Sequence, residues 1–290
     1  SWINQAENDF ESLIPLVENN VKAGKSEKAI FKLFSRGVET TRDEWVYDFE
    51  STNLVEKMDF FIRVYNLSIA NRKIDLSIKW SSSLENYYNS SSKVVFKRHL
   101  ITKSLYRPYL KLTHYTEKLF NHRLTENHYE AFSDTLQGIN KLIAFSSIGS
   151  SKSFHCLASD SLVDLHLTGD SQCIPLYRYD KEGSRIDNIT NWGLEQFQTH
   201  YNDSGITKLD IFHYTYAVLH NPEYRKKYGL NLKREFPRLP FYKDFHKWVN
   251  WGKQLMDLHI NYETVESYPL KQIDIPCGDN TRTPKPKLKA

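Results

Sequence analysis

The spacing of apolar residues changes near Asp180 and divides the chain into two parts. Before this point, residues 29–35 (AIFKLFS) and 44–49 (EWVYDF) alternate in polarity, which predicts the two strands of a hairpin with its turn at Gly37. Residues 140–149 and 171–180 are apolar runs between polar turns and predict further strands. Residues 51–66 have helical spacing after a cap at Ser51 or Thr52. The first part is therefore predicted to mix strands and helices.

After Asp180 the apolar period becomes that of a helix. Residues 191–201 predict one helix, and residues 206–220 predict a second that opens with a capping box of Thr207 and Asp210. Asn221-Pro222 ends it and starts another helix, and residues 244–260 carry one apolar stripe. We predict an α+β fold with a mixed α/β part at residues 1–180, a helical module at 181–268 and an extended basic tail at 269–290.

The composition predicts a globular protein inside the cell. Its 290 residues predict one large domain or two packed ones, and its 18 Tyr, 16 Phe and 6 Trp supply large side chains for a core. No apolar run reaches the length of a membrane span and the N-terminus lacks signal-peptide features, so we predict a cytoplasmic location without a membrane partner. Cys156, Cys173 and Cys277 form no CxxC pair, which is typical of a reducing compartment.

The positive charge is concentrated in one segment. The chain carries a net charge of +4, yet residues 93–123 hold eight basic side chains and one acid, Glu117, for a net +7. The rest of the chain is therefore slightly acidic. A local positive field of this kind indicates a polyanion-binding surface, although a solvated basic face has the same pattern.

No motif in the sequence indicates catalysis, a metal site or a cofactor site. IGSSKS (148–153) does not complete the G-x-x-x-x-G-K-[ST] pattern of a phosphate-binding loop, and HNPEYR (220–225) has Glu223 where an adenine-holding N-P-P-Y motif has proline. His155, Cys156, His166 and Cys173 lack the paired spacings of a structural zinc site. Two carboxylate pairs, Asp43 with Glu44 and Asp160 with Asp164, are expected to be surface pairs. We therefore predict that this chain alone is not an enzyme; a nuclease or a zinc hydrolase is a minor alternative.

The basic segment suits nucleic-acid binding better. Lysine and arginine neutralise phosphates, while arginine and tyrosine also contact bases. Arg107 precedes Pro108, which favours an extended conformation for the arginine, and Tyr106 and Tyr109 would brace it. A second basic cluster at residues 225–238 would add phosphate contacts or form an ordinary exposed helix. If about six phosphates are neutralised, affinity is expected to fall about 10³-fold between 50 and 200 mM salt.

Several strings in order along the chain resemble one family, the C-terminal specificity region of type ISP single-polypeptide restriction-modification enzymes. The resemblance covers most of the chain, and its longest block is DIFHYTYAVLHNPEYRKKYGLNLKREFPRLPF at residues 210–241. The shorter strings are FSRGVETTRDEWVYDF (34–49), SLYRPY (104–109), CIPLYRYD (173–180), ITNWGLEQF (189–197) and LHINYE (258–263).

The resemblance implies a target recognition domain that reads an asymmetric double-stranded DNA sequence. In this family the domain follows a nuclease, an ATP-driven translocase and a gamma-class N6-adenine DNA methyltransferase on one polypeptide, a bacterial defence system. S-adenosylmethionine, ATP and Mg are implied for that polypeptide and no cofactor for this part. The chain is accordingly expected to be a fragment that lacks upstream domains and a further terminal segment beyond Ala290.

The resemblance and the charge pattern together predict the DNA-facing residues. GVETTRDEW (37–45) resembles the turn at which such methyltransferases meet their recognition domains, close to DNA, and SLYRPY lies within the +7 segment. The alternative is a coupling module that mainly docks on the methyltransferase, with incidental DNA contacts. The predicted DNA-facing set is Arg36, Thr41, Arg42, Lys97, Arg98, Lys103, Tyr106, Arg107 and Lys111.

Overall fold

Strands and helices alternate through the first two thirds of the chain and helices dominate the last third, which confirms the predicted α+β class. The computed structural model describes residues 6–122, 124–134, 136–167, 169–269 and 271. The strands are β1 (Ile14–Pro15), β2 (Ser35–Arg36), β3 (Tyr47–Asp48), β4 (Ile101–Arg107), β5 (Leu110–Tyr115), β6 (Leu142–Ser146), β7 (Cys156–Ser159), β8 (Leu162–Val163), β9 (Ser171–Pro175), β10 (Tyr177–Tyr179), β11 (Arg185–Asp187) and β12 (Arg238–Leu239). The α-helices are α1 (Asn19–Lys22), α2 (Asp43–Val46), α3 (Ser51–Asn71), α4 (Ser82–Asn89), α5 (Glu126–Phe132), α6 (Asn191–Tyr201), α7 (Lys208–His220), α8 (Pro222–Lys227), α9 (Asn231–Arg234) and α10 (Phe245–Ile260).

Two four-stranded sheets form the strand part of the fold. One has the order β2-β9-β6-β7 and is antiparallel throughout. The other has the order β3-β5-β4-β8, in which β4 and β5 form a hairpin and β8 runs parallel to β4. Two-stranded pairs, β1 with β12 and β10 with β11, complete the sheets found in the described residues. The predicted strands at 140–149 and 171–180 correspond to β6 and to β9 with β10.

The predicted hairpin at residues 29–49 is wrong. β2 pairs with β9, and β3 pairs with β5 in the other sheet, so the two segments separate instead of pairing. Backbone groups before β2 bond elsewhere: the amides of Ile30 and Phe31 donate to carbonyls of the β1 region, at Pro15 and Leu16. All residues of 29–35 except Lys32 are buried, so this segment is enclosed between distant partners and does not form one face of a hairpin.

Gly37 has a different role from the predicted turn. A Cβ atom at Gly37 would lie 2.7 Å from the Asp164 carbonyl oxygen and from the backbone of Leu165. The next residue, Val38, forms a parallel bridge with Asp164. Glycine at position 37 therefore permits the close approach of two backbone segments. This approach places Asp164 beside the turn at residues 37–43.

The predicted helices of the last third are confirmed. α6 spans the predicted residues, and α7 opens with the predicted capping box, in which Thr207 and Asp210 exchange hydrogen bonds. Asn221 caps α8, which has proline in its first turn. The predicted cap of α3 at Ser51 or Thr52 is wrong, because Ser51 is already the first helical residue and Glu50 holds the cap position without a side-chain cap bond. The helix continues to Asn71, after which Arg72 adopts a left-handed conformation at φ 52°.

The helical module shares its core with the strand part. One apolar cluster joins Phe10 and Phe31 to Tyr214, Phe245 and other side chains of α7 and α10. A second cluster packs α3 and α4 against β5, and a third lies between β6, β7, β8 and α5. The β10–β11 pair crosses residue 180. The predicted boundary there marks a change in element type and not a break in packing. The predicted tail at 269–290 lies outside the described residues except for Pro269 and Lys271.

Candidate nucleic-acid interface

The tip of the β4–β5 hairpin presents Arg107. Arg107 pairs with Leu110 across the turn, and the register shifts between Leu105 and Arg107. Tyr109 completes the turn with a left-handed φ of 57°. Its ring packs edge-on against His259 and Tyr262, 5.7 and 5.4 Å between centroids, at the end of α10. The Lys111 amide donates to the Tyr262 hydroxyl at 3.0 Å. The hairpin tip is therefore fixed to the helical module.

Arg107 is fixed by a buried carboxylate and a tyrosine ring. Its Nη1 donates to Oδ1 of Asp164 at 2.6 Å, and the Asp164 side chain is only 2% exposed. The guanidinium carbon lies 3.8 Å from the Tyr106 ring centroid. The Tyr106 hydroxyl in turn donates to Oδ2 of Asp43 at 2.9 Å. Charge-assisted hydrogen bonds and stacking fix the plane of an arginine in this way.

The buried surroundings shift the pKa values of Asp164 and of the neighbouring Tyr47. Burial raises the pKa of the Asp164 carboxyl, while the amide of His166 and the Arg107 guanidinium oppose the rise. Tyr47, whose hydroxyl lies 3.4 Å from Oδ2 of Asp164, has its pKa raised well above the ordinary value, first by burial and then by the charge of Asp164. Tyr47 therefore stays protonated and donates to the carboxylate.

The turn at residues 36–43 borders the same site. The Thr40 hydroxyl donates to the Asp43 carboxylate, and Thr41 has a left-handed φ of 61°. A surface depression is lined by Glu39, Thr40, Thr41, Asp43, Glu44, Lys79, Asp164 and His166. Arg36 lies next to it, because its partner Asp170, at 3.2 Å, also contacts His166. The structure thus brings together Arg36, Thr41, Tyr106 and Arg107 of the predicted set.

The prediction that Arg42 faces DNA is wrong, because the side chain is fully buried. Its Nη1 donates to the Phe120 carbonyl oxygen at 2.8 Å and its Nη2 to the Ser81 hydroxyl. Burial lowers the pKa of Arg42 to about 10. Arg42 therefore ties the turn to the elements below it.

Acidic partners neutralise much of the basic segment. Lys97 lies 3.5 Å from Glu117, Lys111 lies 2.9 Å from Asp160, and Lys118 lies 3.6 Å from Glu126. Lys103 donates to the Thr113 hydroxyl, whereas Arg98 is exposed immediately before β4. Lys111 is only 16% exposed and contacts the α10 end. The predicted bare positive field is thus corrected to a mixed surface, and the DNA contacts of Lys97, Arg98, Lys103 and Lys111 stay predictions.

The second basic cluster is also partly paired. Arg225 donates to the Leu219 carbonyl oxygen at 2.6 Å, and Lys227 lies 2.5 Å from Asp9. Lys226, Lys233 and Arg234 are exposed. This cluster therefore supplies some surface charge but no organised site.

The carboxylates that organise the site were not predicted from the sequence. Asp43 was expected to pair with Glu44 and Asp160 with Asp164, whereas the structure places both Asp43 and Asp164 next to Arg107. Asp43 and Asp164 lie 63 and 57 residues from their partners Tyr106 and Arg107. No local spacing signals such a contact. The close backbone approach at Gly37 is the structural reason for it.

The described residues contain no group of three or more His, Cys, Asp or Glu side chains that could bind a metal ion. In the IGSSKS turn, the Gly149 amide donates to the Lys233 carbonyl oxygen and is not available to cradle a phosphate. No helix among the residues searched is long and apolar enough to cross a membrane.

Comparisons with known proteins identify the family. The model of the type ISP C-terminal specificity domain matches residues 29–290. A cryoEM structure of a DrdV–DNA complex is similar with 40% sequence identity and a TM-score of 0.87, over 97% of this chain and 29% of that chain. A nuclease-deletion mutant of the type ISP restriction-modification enzyme LlaGI, in complex with a DNA substrate mimic, is similar with 30% identity and a TM-score of 0.76, over 92% and 25%.

The ATP-dependent type ISP restriction-modification enzyme LlaBIII bound to DNA is similar with 26% identity and a TM-score of 0.79, over 93% of this chain and 18% of that chain. No curated protein matches. The chain spans less than a third of each of these solved relatives. The match of the family model over most of the sequence establishes that this chain belongs to the type ISP C-terminal specificity domain family.

Proposed function

We propose that this chain recognises a specific double-stranded DNA sequence as the target recognition domain of a longer restriction-modification polypeptide. The observation that carries the proposal is the 40% identity, over 97% of this chain, to part of a protein solved as a DNA complex. Recognition would position a target adenine for a linked N6-adenine methyltransferase and license a linked nuclease.

The geometry supports a division of labour on the proposed DNA-facing surface. Arg107, Tyr106 and Thr41 are fixed by hydrogen bonds or turn geometry, which suits contacts with base edges. Lys97, Arg98 and Lys103 are exposed along or just before β4, which suits contacts with phosphates. Fixed groups would supply specificity, and exposed charged groups would supply salt-dependent affinity.

S-adenosylmethionine, ATP and Mg would bind to other domains of the longer polypeptide. Neither the described carboxylates and histidines nor the turn at Gly149 fits a metal ion or a nucleotide phosphate. The residues described here would bind and orient DNA only. A cytoplasmic location is part of the same proposal.

A domain swap in the full-length polypeptide tests the function. Residues 30–180 are exchanged with those of a relative that has a different target, and modified adenines are mapped by sequencing in cells. We expect the modified sequence to follow the swapped segment. An exchange of residues 191–260 is the matched control and should leave the sequence unchanged. If the modified sequence stays that of the parent after the first swap, the proposal fails.

The second candidate is a module that mainly docks on the methyltransferase. Two observations favour it: acids neutralise much of the basic segment, and α10 exposes 46% of Trp251 and 51% of Leu258. Replacing Trp251 and Leu258 by Ser separates the two functions. The linker between the two domains is then cut by limited proteolysis. Docking predicts that the variant domain no longer stays bound to the methyltransferase after the cut, whereas recognition alone predicts that the two stay bound.

A further inference from the structure

Hydrogen bonds within the protein occupy one half of the Arg107 guanidinium, and the other half has no such bond in the described part of the chain. The two N–H groups of Nη1 donate to the Tyr106 carbonyl oxygen and to Oδ1 of Asp164, each at 2.6 Å. Within the described part of the chain, Nε and Nη2 have no hydrogen-bond acceptor. Oδ2 of Asp43 lies 3.8 Å from Nη2, beyond hydrogen-bond distance. The side chain is 35% exposed.

The hydrogen bonds of Nη1 also fix the direction of the Nε and Nη2 donors, because the guanidinium is planar. Asp164, 2% exposed, also accepts from the His166 amide at 2.9 Å, so its carboxylate cannot rotate without losing that bond. Tyr106 supports one face of the guanidinium, and the Asp43 carboxylate anchors the Tyr106 hydroxyl. The entropy cost of ordering a long arginine side chain is therefore met during folding and not during binding.

The edge without acceptors in the described part of the chain presents two parallel N–H donors, at Nε and Nη2. Two acceptor classes in DNA match this geometry: the O6 and N7 pair of guanine in the major groove, and the oxygens of a phosphate. A phosphate is attracted mainly by net charge. Around Arg107 the charge is not positive, because two carboxylates, Asp164 and Asp43, lie beside its single charge. In the adjacent depression, Lys79 is paired with Glu44 at 3.1 Å and adds no net positive charge. A neutral base with two acceptors fits this environment better than a phosphate.

We propose that Arg107 is a specificity-determining residue that recognises one guanine in the major groove through its Nε and Nη2 donors, with Asp164 as its positioning residue. The inference rests on the proposed function and further specifies which base is recognised and which arginine atoms contact it. Asp164 acts through Arg107 and contacts no DNA.

Chemical protection tests the inference without any variant. Dimethyl sulfate methylates guanine N7 in the major groove, and a bound arginine at O6 and N7 blocks it. In the complex of the full-length polypeptide with its target, we expect protection of at least one guanine. Absence of N7 protection throughout the target would overturn the inference.

Binding selection from a randomised duplex pool, with the full-length polypeptide, assigns the guanine. Arg107→Lys keeps the charge but not the paired donors. We expect preference for guanine at one position to fall about 5- to 150-fold, the range for one bidentate pair, with the other positions unchanged. Asp164→Asn should cause a smaller loss at the same position. Arg185→Lys is the matched control, because Arg185 also stacks on a tyrosine, 4.3 Å from the Tyr177 ring centroid.

The outcomes separate this inference from the proposed function. If Arg107→Lys keeps every base preference while Arg107→Ala weakens all sequences equally, Arg107 contacts a phosphate and the inference is wrong. If the swap of residues 30–180 redirects modification but neither the Arg107 nor the Asp164 variant changes any preference, only the inference is wrong. If the swap redirects nothing, the proposed function itself fails.

Discussion

Two arginines in different regions have different hydrogen-bond partners. Arg42 lies in the interior next to the turn at residues 36–43, and Arg107 lies at the tip of the β4–β5 hairpin. Arg42 is fully buried and donates to neutral oxygens of Phe120 and Ser81. Arg107 is about one third exposed and donates to a buried carboxylate, Asp164. The contacts of Arg42 are all internal, so its charge serves the fold. The hydrogen bonds of Arg107 all start from Nη1, and its Nε and Nη2 have no acceptor among the described residues, so these two donors are the ones proposed to contact DNA.

The largest expected effect separates the two arginines. Arg42→Ala removes a large buried side chain and leaves the Phe120 carbonyl oxygen without this donor, so the free energy of unfolding should fall by about 3 kcal/mol or more. Urea unfolding of the chain measures the loss. Arg63→Ala, at an exposed position of α3, is the control and should stay within about 0.5 kcal/mol. A loss below about 1 kcal/mol for Arg42→Ala would show that the interior contacts are not structural.

A glycine substitution links the two regions. Gly37→Ala places a Cβ 2.7 Å from backbone atoms of Asp164 and Leu165, so one backbone must shift. We expect a loss of about 2 to 3 kcal/mol in unfolding free energy and a weaker preference for the guanine contacted by Arg107, since Asp164 moves. Unfolding and binding selection measure both effects. At Gly205, the nearest atom to a new Cβ is a side-chain oxygen of Asp203 at 3.1 Å, so Gly205→Ala is the milder control.

The local parts of this fold were predictable and the long-range parts were not. α6 and α7 were predicted almost to the residue, because capping residues such as Thr207 and Asp210 act within one turn. The hairpin at 29–49 was wrong, because β2 takes its partner from β9, more than 130 residues along the chain. The site divides in the same way. The hairpin residues Tyr106 and Arg107 were found from local sequence, whereas their acidic partners came from distant segments.

Arg42 shows why a charge pattern alone misplaces residues. A basic residue in a polar turn such as TTRDE has the composition of a surface position. Its burial depends on two oxygens supplied by Ser81 and by Phe120, which lie 39 and 78 residues further along the chain. Only the folded structure reveals that these acceptors converge on one guanidinium.

His114 is another polar group in the interior, and its burial makes the stability of the fold depend on pH. His114 is fully buried between Ser104 and Asn121, each at 2.8 Å, and burial lowers its pKa to about 4. As pH falls below about 6.5 the unfolded chain binds a proton that the folded chain does not, so stability falls with pH until about pH 4. At pH 5 this residue should lower the unfolding free energy by about 2 kcal/mol relative to pH 7.

Urea midpoints at pH 7 and pH 5 measure this dependence. His114→Gln removes the titrating group and should reduce the difference between the two pH values. His220, whose pKa burial also lowers to about 4, contributes in the same direction, so the difference should not vanish. His99→Gln, at an exposed position before β4, is the control. An unchanged pH difference in His114→Gln would show that His114 does not titrate as its burial requires.

The smallest effect on stability is expected for Lys97→Ala. This variant is informative mainly through its effect on DNA binding. Lys97 is about half exposed and lies 3.5 Å from Glu117, so Lys97→Ala should change the unfolding free energy by less than about 1 kcal/mol. If Lys97 contacts a phosphate, the variant weakens binding equally for all sequences and lowers the slope of log affinity against log salt by about 1.

Acidic pairing also limits the total salt dependence. If only about three phosphates are neutralised, affinity should fall about 40-fold between 50 and 200 mM salt, well short of the 10³-fold expected from the sequence. For Lys97→Ala, the matched control is Lys208→Ala. Lys208 is also ion-paired, 3.4 Å from Asp187, but it belongs to the helical module. A change in base preference in Lys97→Ala would break the comparison, because specificity would then also arise from an exposed surface lysine and not only from an arginine fixed by a buried carboxylate.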